Sequence, residues 1–208
     1  MHTRKIVAVL CSFVAAAAYA QVGSNMGVLD ASSAKEAELT TVPHVDAALA
    51  AKIVASRPFA DAVALDKLLG ASLSAGQRQE LYGRLFVTIN LNNATREEIL
   101  LIPGVTDRLA HEFEEYRPYT SLEQFRREIG KYVSAAEVAR LEQYVFVPMN
   151  LNQASADAFL TIPGMTSRMV HEFEEYRPYT SFEQFRREIG KYVDQKEVAR
   201  LERYLVIE

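Results

Sequence analysis

Residues 102–117 read IPGVTDRLAHEFEEYR. Proline disfavours helix in the residue before it and glycine permits a tight turn, so one helix closes at Ile102 and another opens near Thr106. Residues 162–177 nearly repeat the phrase, IPGMTSRMVHEFEEYR, and residues 42–57 carry a blurred copy, VPHVDAALAAKIVASR. The period is sixty without gaps: Pro43, Pro103 and Pro163 align, as do Gly70, Gly130 and Gly190. Self-similarity at a fixed period is the mark of a repeat architecture.

Each copy reads as four short helices. In the second, Thr95 with Glu98, Ser121 with Gln124, and Ser134 with Glu137 predict capping boxes, in which hydroxyl and carboxyl or amide satisfy two free N–H groups. The third repeats this with Ser181/Gln184 and Asp194/Glu197, and the first offers Ser33/Glu36. Ile99, Leu100 and Ile102 form one apolar face, and Leu109, Phe113 and Tyr116 a second. Leu122, Phe125 and Ile129 supply the third, and Val138, Leu141 and Val145 the fourth. The first copy places Phe59, Leu65, Leu68, Leu69, Leu81 and Leu85 in such positions. Helices this short are marginal alone in water, so each copy must bury its stripes against its own neighbours. The connections at 86–89 and 146–149 are apolar, which predicts copies packed end to end.

The start of the chain has a different character. Arg4 and Lys5 precede an apolar run over residues 6–18, and Ala18-Tyr19-Ala20 is a small-x-small cleavage site. This is the three-part form of a secretory signal peptide, cleaved after Ala20. The single cysteine, Cys11, lies within it, so the mature chain has no thiol. The full chain carries a net charge of −4; without Arg4 and Lys5, 21 basic residues face 27 acidic ones, a net of −6. An acidic chain is not steered to nucleic acid by its overall field, so any such contact must come from local geometry. The expected organisation is a signal peptide (1–20), a polar linker (21–27) and three copies over 28–89, 90–149 and 150–208.

An aliphatic residue before Pro-Gly and a closing Tyr-Arg resemble the helix-hairpin-helix motif. The longer order NLNNATREEI, IPG, EEYRPY, REIGKYVSAAEV resembles the doubled helix-hairpin-helix domain of ComEA-type competence proteins, across residues 28–208. The resemblance implies an all-α chain of three tandem, SAM-like double helix-hairpin-helix units. It further implies an exported bacterial protein, periplasmic or secreted, that binds double-stranded DNA. Hairpin N–H groups and the following helix start would form a nest for a phosphate, without reading bases. Carried onto this chain, the contacts are Gly104, Val105, Thr106 and Arg108, with Gly164, Met165, Thr166, Ser167 and Arg168. The clusters Arg126, Arg127, Lys131 and Arg186, Arg187, Lys191 would assist beside the second hairpin of each unit. The family pattern is Pro-Gly-aliphatic-Gly. Its second glycine is here Thr106, Thr166 or Asp46, and its first is His44 in the opening copy. Asp46 and Asp107 add negative charge there.

Tyr116, Tyr119, Tyr132 and Tyr144 could stack on bases, but Tyr116 continues an apolar stripe and Phe59 replaces Tyr119, which favours core packing. His111 and His171 lack a second ligand at metal spacing and read as surface residues. No catalytic constellation, metal site or cofactor motif emerges. Two functions remain open. The first is an exported, non-catalytic DNA binder. The second is an interaction module for other envelope proteins, such as those of a DNA-uptake or secretion machine, that has lost contact with DNA.

Overall fold

The computed structural model describes residues 22–24 and 26–208; the expected signal peptide lies outside them. The first sixty-residue stretch forms β1 (Leu29–Asp30), α1 (Glu36–Leu39), α2 (Ala47–Ala55), α3 (Ala62–Gly70), α4 (Ala75–Tyr82) and β2 (Leu85–Phe86). The same order returns as β3 (Ile89–Asn90), α5 (Arg96–Leu101), α6 (Asp107–Glu115), α7 (Leu122–Ile129), α8 (Ala135–Glu142) and β4 (Val145–Phe146). It returns again as β5 (Met149–Asn150), α9 (Ala156–Phe159), α10 (Ser167–Glu175), α11 (Phe182–Ile189), α12 (Gln195–Glu202) and β6 (Leu205–Val206). The chain is mainly α, and no helix among the described residues is long and apolar enough to cross a membrane.

The expected stripes meet inside each stretch. Phe113 and Phe125 pack edge to face at 5.2 Å, and Phe173 and Phe185 do the same. Ile53 and Leu65 fill the corresponding places in the first stretch, fully buried. One arginine ties each stretch together. Arg57, Arg117 and Arg177 each donate through Nε and Nη2 to two carbonyls of the segment before the first helix: Ala31 and Ala34, Leu91 and Ala94, Leu151 and Ala154. Asn92 and Asn152 add a second tie, clasping the backbone N–H and C=O of Tyr119 and Tyr179.

The short strands depart from a purely helical reading. In each stretch the first strand pairs in parallel with the last, Leu29 opposite Leu85, Ile89 opposite Val145 and Met149 opposite Leu205. Two residues carry no readable alternation, and the partner lies a whole unit away, so these segments read as linkers.

The caps hold with adjustments. Thr95/Glu98 forms the full box. Ser74 and Gln77 form another that the sequence reading passed over. In the first stretch the box does not fall on Ser33/Glu36: the cap position is Lys35, whose N–H donates to Glu38 at 2.7 Å. Ser134 and Asp194 cap their helices, but Glu137 and Glu197 turn away to Arg140 and Arg200. Gln124 and Gln184 reach the N–H of Thr120 and Thr180 instead of the cap residue. A guanidinium offers a charged, bidentate partner, which outweighs a single neutral N–H.

The stretches do not simply follow one another. The first two share a continuous apolar core, and the third has its own, joined by Phe146 and Val22. Of the expected polar linker, Val22 is buried and bridges antiparallel to Phe146. The third stretch also folds back onto the first. A Cβ at Gly164 would lie 3.3 Å from Cβ of Ser33. The hydroxyls of Thr88 and Tyr204 are 3.0 Å apart, and Arg203 donates to the Thr88 carbonyl. The Asp30 carboxyl is sealed in this junction; burial raises its pKa, while Arg200 and Arg203 pull it down.

Candidate nucleic-acid interface

The Pro-Gly turn forms as its chemistry requires. Gly104 and Gly164 sit at φ +78° and +76°, a conformation that side chains resist. Val105 and Met165 close the turn by donating to Ile102 and Ile162. Thr106 and Thr166 then cap the next helix, each hydroxyl accepting from the N–H three residues on. The backbone N–H groups of Gly104, Thr106, Asp107 and Arg108 meet no acceptor among the described residues, nor do those of Gly164, Thr166, Ser167 and Arg168. Four unmet donors at the positive end of a nine-residue helix favour an anion. The Arg108 and Arg168 side chains stand exposed beside them with no ion-pair partner among the described residues.

Asp107 is less hostile than the sequence alone implied. Arg96 reaches over from α5 and meets both the Asp107 carboxylate at 3.2 Å and Glu114 at 2.8 Å. In the third stretch both charges vanish together, as Ala156 and Ser167. In the first, His44 takes the left-handed position at φ 66° and its Nε2 lies 2.8 Å from Glu80, while Asp46 caps the helix. Two carboxylates stand there, where the other copies offer Arg140 or Arg200 and a threonine.

Those arginines are further participants that motif reading missed. Arg140 donates to the Pro103 carbonyl at 2.7 Å and Arg200 to that of Pro163 at 2.6 Å, each steadied by its own glutamate. The guanidinium thus braces the hairpin. A spacing of 37 residues to the hairpin hides this in the sequence.

The two hairpins of the middle stretch come together. Gly104, Thr106, Arg108 and Leu109 line a cleft of about 350 Å³ with Lys131, Tyr132 and Val133, and Glu112 and Glu137 add two carboxylates to its wall. The basic clusters are largely neutralised. Arg126 grips Glu142 through two bonds of 2.6 Å, and Arg186 grips Glu202. Lys131 and Arg127 both hold Glu128, and Lys191 and Arg187 hold Glu188, each carboxyl pushed below its ordinary range, chiefly by the lysine. Among the tyrosines, Tyr119 and Tyr144 are buried, but Tyr132 lies on the surface with its hydroxyl 2.8 Å from that of Tyr116. That contact, and then Glu112, raise the Tyr132 pKa. His111 and His171 are exposed, and no metal-binding group of acidic, His or Cys residues gathers among the described residues.

No family model matches the chain. No solved structure matches it. It is similar to the endonuclease/exonuclease/phosphatase family domain-containing protein 1 of Xenopus laevis, at 30% identity over 43% of this chain and 21% of that protein. The chain thus spans about a fifth of that relative's length.

Proposed function

We propose that this chain is an exported, non-catalytic protein built of three tandem double helix-hairpin-helix units that binds the phosphate backbone of double-stranded DNA. DNA uptake is the setting its resemblance to the ComEA-type proteins implies. The observation that carries the proposal is the free donor set at each of two hairpins: four unmet N–H groups beside an unpaired, exposed arginine, Arg108 or Arg168. Such a set holds a phosphate and reads no base. Two modest sites on one chain add by effective concentration when they meet one duplex. The ion-paired clusters at 126–131 and 186–191 play a secondary part. The relative's name carries the words endonuclease, exonuclease and phosphatase, and a nucleic-acid setting agrees with the first two.

The test is fluorescence anisotropy of the chain from Gln21 onward with a labelled random duplex at ~50 and ~200 mM salt. Micromolar binding that weakens steeply with salt is the expected result. Arg108→Glu with Arg168→Glu should abolish it; retention of full affinity would sink the hairpin mechanism. The second reading, an envelope interaction module, is favoured by one observation: Glu142, Glu128, Glu202 and Glu188 already occupy the basic side chains of both clusters. Capture of an envelope partner that survives nuclease, with no duplex binding at low salt, would establish that reading instead.

A further inference from the structure

The first copy retains its place in the fold although its own hairpin carries His44 and Asp46, with Glu80 of α4 set against His44. Its lead-in segment lies against the hairpin of the third copy. A cleft of about 480 Å³ is lined by Ser33, Lys35 and Glu38 from the first copy and by Thr161, Pro163 and Gly164 from the third. Ser33 makes the closest approach to Gly164.

Lys35 breaks a local rule. It stands at the N-cap of α1, where the other copies have Thr95 and Ser155, both of which accept a helix N–H. An ammonium has no lone pair to accept with, and its charge sits at the positive end of the helix. No carboxylate among the described residues lies within ion-pair distance of it, since Glu38 is turned onto the Lys35 backbone N–H. A residue that is locally unfavourable and electrostatically unmatched points to a role outside the fold.

We infer that Lys35 is a backbone-phosphate contact belonging to the third copy's hairpin, so that the duplex site there is assembled from two copies of the unit. This rests on the DNA-binding reading above. The free N–H groups of Gly164, Thr166, Ser167 and Arg168 hold one phosphate, and Lys35 takes a further one along the same strand from across the cleft. The middle hairpin has no such supplement, and Arg96 with Asp107 occupies its flank instead. The first copy therefore survives as a docking platform and a charge donor to its neighbour.

The experiment uses the chain from Gln21 onward, which holds every described element, and the same random duplex. Lys35→Thr installs the residue found at Thr95 and is compared with Lys52→Thr, an exposed lysine on α2 of the same copy. Lys35→Thr should weaken binding about three- to tenfold and lower the salt slope by about 0.9, the value for one phosphate contact. It should also raise the melting temperature by about 2 °C, because a real cap replaces none. Lys52→Thr should change affinity less than twofold. Equal affinities for the two variants would overturn the composite site while leaving the hairpin reading intact. Absence of binding by the unaltered chain would remove that reading, and this inference with it. A lysine with a merely structural role would lose stability on replacement, and affinity only in step with it.

Discussion

Arg177→Met separates the architecture from the binding surface. The Arg177 guanidinium donates to Leu151 O at 2.8 Å and to Ala154 O at 2.6 Å, and lies 5.2 Å from the Phe159 ring centroid. Hydrogen bonds from a charged donor contribute about 1.5–3 kcal/mol each. The side chain is 23% exposed, and carbonyls near a surface regain water when the donor leaves, so two such bonds sum to less than their maximum. Methionine keeps the apolar stem over Phe159. A loss of about 2–4 kcal/mol is expected, read from urea unfolding followed by circular dichroism near pH 7. Arg168→Met, exposed and unpaired nine residues earlier, should change stability by less than about 0.5 kcal/mol yet weaken duplex binding. The salt slope of Arg177→Met, measured where it is still folded, should match the unaltered chain. If Arg177→Met lost under about 1 kcal/mol, or if Arg168→Met destabilised as much, the division between tie and contact would be wrong.

Three other outcomes follow from the same geometry. Arg126→Gln should alter duplex affinity less than twofold by anisotropy, because Glu142 already holds that guanidinium; a loss matching that of Arg108→Gln would return the cluster to the primary interface. Gly104→Ala should cost about 1–2 kcal/mol by thermal unfolding, the penalty for forcing a Cβ into a left-handed residue. Asp30→Asn probes the junction of the first and third copies. Burial, the largest influence, raises the Asp30 pKa above its ordinary 3.8. A raised acid binds more protons folded than unfolded, so its contribution to stability falls as pH rises from 3.8 through the folded value. The variant should therefore gain on the wild type across that window and match it below. A constant difference at all pH values would show that Asp30 does not titrate there.

The hairpins, the helix stripes and the cap positions of the second and third copies were legible because they are local. Pro103-Gly104 dictates its own turn, Thr95 and Glu98 satisfy neighbouring N–H groups, and Leu109, Phe113 and Tyr116 recur at helical spacing. Leu122, Phe125 and Ile129 proved fully buried for the same reason. Tyr132 was misread as core because, on the turn after α7, no helical stripe settles its direction.

What the sequence by itself determined is the sixty-residue period, the mainly helical character and the two hairpins with their glycines. Each is set by backbone sterics and residue spacing within a turn or two. Which charges remain available was decided only by the tertiary structure. Arg126 looks as free as Arg108 in one dimension, yet Glu142, sixteen residues on, claims the first while no carboxylate among the described residues reaches the second. Likewise Lys35 and Gly164, more than a hundred residues apart, line one cleft because the third copy folds back onto the first. Electrostatic availability depends on distance through space, and chain separation carries almost no information about it.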